Sequence, residues 1–123
     1  MKITFNQSGF DIPHIELGTE SKTLEIKGRS IPENSYEFYS RVQGWIEGQF
    51  ATENGADYCM HFHFDIISSS SLKPIFRIIH TSILQYPAIM IKWEYDKDDE
   101  DVLNIGELLQ KQTQHTFEFI TIK

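Results

Sequence analysis

Three dense polar runs hold the side chains of this chain best suited to chemistry. They are Gly28-Arg29-Ser30-Ile31-Pro32-Glu33-Asn34, the serine run Ser68-Ser69-Ser70-Ser71, and the acidic run Asp96-Lys97-Asp98-Asp99-Glu100-Asp101. Each lies between a segment that reads as a strand and one that reads as a helix. If those strands are parallel neighbours, all three runs emerge at one edge of one sheet, where ligands and partners of open α/β sheets usually bind. Hydroxyls at a helix start are suited to carrying a phosphate, which the free N–H groups and the helix dipole favour. A phosphate would add about 1.5 to 2 negative charges to an already acidic edge. On residue types alone, a polar loop in which one serine caps the next helix is the better reading.

Other chemistries fit less well. The acidic run offers the carboxylate oxygens that hard cations want, but it lacks the mid-loop glycine and terminal glutamate of an EF-hand. Carboxylates at a helix start are in any case favoured by the helix dipole. His61 and His63 alternate on one strand face, so both imidazoles could reach one metal, yet no further Cys/His cluster completes a site. Half-exposed residues on the mixed face of a sheet account for them better. Gly-x-Ser-x-Gly is absent, as is a phosphate-binding glycine loop. Cys59, within a strand, reads as a small half-buried side chain. The rival to a switch is therefore a small acidic metal-binding or enzymatic domain built on the sheet-edge carboxylates. No cofactor is expected.

The elements that must position these runs follow from periodicity. His14–Leu17 and Thr23–Lys27 alternate around Gly18-Thr19-Glu20-Ser21-Lys22, which predicts a hairpin. Ser30 and Glu33 have the spacing of a capping box, and Tyr39, Val42, Trp45, Ile46 and Phe50 continue at helical spacing, which predicts a helix from about Pro32 to Phe50. Residues 58–67 alternate, with Tyr58, Met60, Phe62, Phe64 and Ile66 on one face. Leu72, Ile75, Phe76, Ile79 and Ile83 form a helical stripe. Pro74 in its first turn would place the N-cap at Ser70 or Ser71. A strand over 88–95, a helix carrying Val102, Ile105, Leu108 and Leu109, and a strand over 116–122 complete the chain. Trp45 and Trp93 fall on apolar faces and read as core.

The order is β-β-α-β-α-β-α-β. Right-handed crossovers make the last four strands parallel, with the first antiparallel to the second. The expectation is a two-layer α/β sandwich: a mixed, mostly parallel five-stranded sheet with three helices mainly on one face.

Composition limits the partners. The chain has 123 residues, enough for one domain, and that length buries roughly two-thirds of the unfolded surface without a disulfide or metal staple. Its 18 acidic against 11 basic residues give a formal charge of -7, which argues against nucleic acid and anionic membrane and leaves a basic protein surface as a fitting partner. Cys59 has no second cysteine to pair with. The first residues lack the apolar region of a signal peptide, and no stretch reaches the length of a membrane span. A cytoplasmic location is expected.

Over about residues 12 to 120 the chain resembles the SiaC family of bacterial regulatory phosphoproteins. Gly28-Arg29-Ser30-Ile31-Pro32-Glu33-Asn34 with Glu37-Phe38-Tyr39 and Trp45 is similar to that family's first signature. Trp93-Glu94-Tyr95, Asp98-Asp99-Glu100-Asp101 and Gly106-Glu107 are similar to its last. The central signature, Asn-Thr followed by small residues and a lysine opening a helix, stands here as Ser68-Ser69-Ser70-Ser71-Leu72-Lys73. The resemblance implies a STAS-like fold, like that of anti-sigma-factor antagonists, and a non-enzymatic switch. In that scheme a kinase phosphorylates the central motif and a phosphatase reverses it. The unmodified form activates a diguanylate cyclase or other effector, raising cyclic di-GMP and favouring biofilm. By position the acceptor is Ser69, with Ser68 and Ser70 as alternatives. Arg29, Ser30, Glu33, Lys73, Asp98, Asp99 and Asp101 would form or border the partner surface.

Overall fold

The computed structural model describes residues 1–7 and 9–122. Its elements are β1 (Lys2–Thr4), β2 (His14–Gly18), β3 (Thr23–Ser30), α1 (Ser35–Glu53), a 3-10 turn (Gly55–Asp57), β4 (Cys59–Ile67), α2 (Ser69–Gln85), β5 (Met90–Asp96), α3 (Glu100–Thr113) and β6 (Phe117–Ile122). The strands form one sheet in chain order, β1 to β6. β1, β2 and β3 pair antiparallel, and β3 to β6 pair parallel. The parallel strands advance across the sheet in one direction. Right-handed crossovers then put all three helices on the same face.

Burial follows that arrangement. Leu24 and Ile26 of β3, Met60, Phe62 and Phe64 of β4, Ile91 and Trp93 of β5 and Phe117 of β6 are buried beneath the helices. The intervening residues, Glu25, His61, His63, Lys92 and Glu94, stand half-buried on the other face. The two-layer sandwich is thus as expected. Among the described residues the sheet has six strands rather than five, because Lys2–Thr4 adds an antiparallel edge strand beside β2. Three residues are too few to show a period of two, so only the pairing reveals them.

The first helix starts later than the capping-box spacing predicts. Ser30 is the last residue of β3, paired with Ile67 and fully buried, and so cannot cap a helix. Asn34 is the N-cap, its Oδ1 accepting the Glu37 N–H at 3.0 Å. Asn34 and Glu37 have the same cap-to-N3 spacing as Ser30 and Glu33. Asn34→Ala is expected to lower stability by about 1 kcal/mol in urea unfolding, with Asn34→Asp close to neutral.

A bulge reshapes the ends of β3 and β4. The β3–β4 register shifts between Gly28 and Arg29, so that Gly28 faces Phe64 while Arg29 faces Ile66. The extra β4 residue breaks that strand's alternation. Ile66, expected on the core face, is 42% exposed, and Ile67 packs against the core instead. Gly28 has φ +110°, a conformation a side chain would strain, which accounts for glycine at this point of the first signature.

Candidate functional site

The three polar runs do meet at one edge, because β3, β4 and β5 are adjacent and parallel. The serine run is helical sooner than expected. Ser68, not Ser70 or Ser71, is the N-cap of α2, and Ser69–Ser71 make its first turn. The Ser68 N–H is already committed to the Ser30 carbonyl at 2.8 Å, which ends β4 one residue before the helix. Pro74 therefore lies in the second turn, deeper than the sequence pattern implied.

The four serines have different surroundings. Ser69 is exposed, and its hydroxyl has no hydrogen-bond partner among the described residues. Ser70 is also at the surface, but its Oγ is bonded to Ser35 Oγ at 2.9 Å and to Ser68 Oγ at 3.1 Å. Ser68 is half-buried and is also bonded to Ser71 Oγ at 2.8 Å. Ser71 is fully buried. Of the run, Ser69 alone combines exposure with an uncommitted hydroxyl.

The flanking residues divide into surface and support. Lys73 is exposed one turn after Ser69, and Glu33, Asp98 and Asp101 are exposed on the neighbouring segments. Asp99 is half-buried and caps α3, accepting the Val102 N–H at 3.1 Å. Glu100 and Asp101 occupy the first turn of that helix, where the dipole favours carboxylates. Ser30, expected at the partner surface, has no exposed area; its hydroxyl is bonded to Tyr39 and to Ser71 Oγ. Arg29 turns toward the N-terminal loop, with its guanidinium 4.4 Å from the Phe10 ring centroid and 4.0 Å from Asp11. The loop is also joined to the end of β3 by the Ile31 N–H, which donates to the Asp11 carbonyl at 2.9 Å. A cleft of about 690 Å³ opens between this loop and the start of α1, bounded by Phe10, Glu33, Glu37 and Arg41.

On the helical side, an apolar groove of about 490 Å³ runs between α2 and α3. Leu72, Phe76, Ile105, Leu108 and Leu109 line it, and Lys73 stands at its rim. Leu72 is three residues after Ser69, so both lie on one face of α2.

The histidines lie on the opposite face of the sheet. His61 Nε2 is 2.7 Å from one oxygen of Glu94, and His63 Nδ1 is 3.3 Å from the other. The carboxylate sits between the two imidazoles and engages one nitrogen of each. No group of three or more His, Cys, Asp or Glu among the described residues is arranged to hold a metal ion. Cys59 is half-buried, and burial pushes its thiol above the usual range, with nearby Lys92 pulling the other way. No helix among the described residues is long and apolar enough to cross a membrane.

The last signature has a structural meaning. Trp93 is fully buried and donates its indole N–H to the Val102 carbonyl at 2.9 Å. A Cβ at Gly106 would lie 2.4 Å from the same indole. The tryptophan and glycine are thus two halves of one contact between β5 and α3. Tyr39, on the helical stripe of α1 and buried, also supplies the hydroxyl bonded to Ser30, a role that helical spacing does not reveal.

Comparison with known proteins agrees with this picture. An uncharacterized protein of Pseudomonas aeruginosa strain UCBPP-PA14 is 24% identical over 108 residues, covering 85% of each chain. The fold is similar to a chain in the crystal structure of the diguanylate cyclase SiaD in complex with its activator SiaC from Pseudomonas aeruginosa. That match has a TM-score of 0.77 at 22% identity and covers 98% of this chain and 99% of the other. Apo-SiaC from the same organism gives 0.68 at 20% identity, over 100% of this chain and 99% of the other. The model for "SiaC family regulatory phosphoprotein" matches residues 6–122, which take in the serine turn, its buried support and the Trp93–Gly106 contact. On that match, the chain belongs to the SiaC family of regulatory phosphoproteins.

Proposed function

We propose that this chain is a cytoplasmic, non-enzymatic switch whose unmodified form docks on and activates a diguanylate cyclase, and whose phosphorylation at Ser69 blocks that docking. A kinase adds the phosphate and a phosphatase removes it. The observation that carries the reading is the exposed, uncommitted hydroxyl of Ser69 on the first turn of α2, at the edge shared by all three polar runs. The cyclase is suggested by SiaC of Pseudomonas aeruginosa, an activator found in complex with SiaD.

The physics is local. In the unmodified state Lys73 and the apolar groove beside it are open to a partner, with Asp98 on the adjacent loop and Asp101 in the first turn of α3. A phosphate on Ser69 stands four residues before Lys73, the spacing at which opposite charges on a helix pair. It draws the ammonium back onto the protein and adds negative charge to an acidic edge. A partner matched to the unmodified surface then meets repulsion and loses its contact with Lys73. Glu33 and Arg29 border this surface from the β3 side, with Arg29 acting through the loop it contacts.

Intact-mass measurement and phosphopeptide mapping of the protein from its native cells test this directly. One phosphate on Ser69 is expected, removed by phosphatase treatment. Phosphate on Ser68 or Ser70 instead would move the acceptor within the turn. A serine run that stays unmodified with phosphatases inhibited would overturn the switch.

A further inference from the structure

We propose that Ser71 is the positioning residue of the acceptor turn, holding Ser69 out to solvent through a chain of hydroxyl bonds whose inner end is buried on Ser30 and Tyr39. This rests on Ser69 being the acceptor.

The turn is held at both ends by one carbonyl. The oxygen of Ser30 accepts the Ser68 N–H at 2.8 Å and the Ser71 hydroxyl at 3.2 Å. Ser69 and Ser70 lie between those two anchors. Because the Ser71 proton goes to that carbonyl, Ser71 Oγ is left as an acceptor, and it takes the Ser30 hydroxyl at 3.0 Å. The remaining directions follow, since each hydroxyl has one proton. Tyr39 must donate to Ser30. Ser68 must donate to Ser71 at 2.8 Å, Ser70 to Ser68 at 3.1 Å and Ser35 to Ser70 at 2.9 Å. Burial pushes the Tyr39 phenol well above its usual range, more than the bond to Ser30 lowers it, so it keeps the proton it donates.

Ser71 Oγ is the hub of this set, with three bonds and no exposed area. Removing it leaves the Ser30 and Ser68 hydroxyls without their acceptor and frees one end of the turn. A buried donor left without an acceptor costs more than a typical bond contributes in net terms. The arrangement also separates the candidate acceptors. A phosphate on Ser69 disturbs none of these bonds. A phosphate on Ser70 replaces a donor with an acceptor-only group and breaks the link to Ser68.

The test is amide hydrogen exchange by NMR on the full chain, comparing the unsubstituted protein with Ser71→Ala and Tyr39→Phe. The reporters are the Ser68 and Ser71 N–H groups, which close the turn at 2.8 and 3.0 Å. Phe62 and Trp93, in the central strands, report the whole fold. Ser71→Ala is expected to speed exchange at Ser68 and Ser71 by roughly tenfold beyond any change at Phe62 and Trp93. Tyr39→Phe, which alters only the far end of the chain of bonds, is expected to act in the same direction and carries the test if Ser71→Ala does not fold. Equal acceleration at all four amides, or none at Ser68 and Ser71, would overturn the proposal. Phosphate content at Ser69 is scored separately. Its absence from the unsubstituted protein would count against the acceptor assignment, whereas the exchange pattern judges the positioning.

Discussion

Gly106→Ala is expected to destabilise the protein by about 3 kcal/mol, near the top of the usual range for overpacking a core. In a helix interior the same change ordinarily stabilises by about 0.5–1 kcal/mol, because glycine is the poorer helix former. Here the added methyl would lie 2.4 Å from Cδ1 and 2.5 Å from Nε1 of Trp93. The indole cannot yield cheaply. It is fully buried, packs against the rings of Phe62 and Phe64, and is held by its bond to the Val102 carbonyl. Moving α3 away would open a gap over β5 and disturb the acidic loop that precedes the helix. Gly44 and Gly48 of α1 are the controls, since a Cβ at either meets nothing within 4 Å. Gly44→Ala and Gly48→Ala should each gain about 0.5–1 kcal/mol. Urea unfolding of the three variants checks both signs at once. A Gly106→Ala protein as stable as the parent would mean that α3 does not rest on Trp93 as described.

Ser69→Asp is expected to weaken binding to the proposed cyclase partner by roughly tenfold to a hundredfold, while Ser69→Ala binds like the unmodified protein. The aspartate carries less charge than a phosphate and reaches less far, so phosphoserine at this position should weaken binding further. Lys73→Ala should lose part of the affinity and also blunt the effect of Ser69→Asp, because the ammonium that the new charge captures is gone. Exposed charges are screened over about 8 Å at physiological ionic strength, so the penalty for Ser69→Asp should shrink as salt is raised. Calorimetry or surface binding at two salt concentrations measures all of this. Equal affinities for Ser69→Ala and Ser69→Asp would sink the electrostatic account of the switch.

Much of this was legible in the linear pattern. Met60, Phe62 and Phe64 alternate, Ile75 and Ile79 recur at helical spacing, and a buried sheet face and a helix stripe follow from those periods. The β-α-β repeats set parallel strands and one helical face, because crossover handedness leaves little choice. The signatures of the first and last runs located the family. The serine turn was legible as a row of hydroxyls near a helix start.

Other features depend on which residues meet across long sequence gaps. Ser30 had the spacing of a cap yet ends a strand, because pairing with Ile67 and bonding to Tyr39 and Ser71 outweigh a local preference. Asn34 then takes the cap three residues before Glu37. Ile66 leaves the core because a bulge shifts the β3–β4 register, and a bulge is a property of two strands rather than one. The four serines are chemically alike in the chain. What separates Ser69 from Ser71 is that the second turns inward against a residue 41 positions away. Local periodicity determines which faces are buried, since it depends on neighbouring residues alone. The identity of the free hydroxyl is determined by packing, since burial and hydrogen bonding belong to the assembled edge.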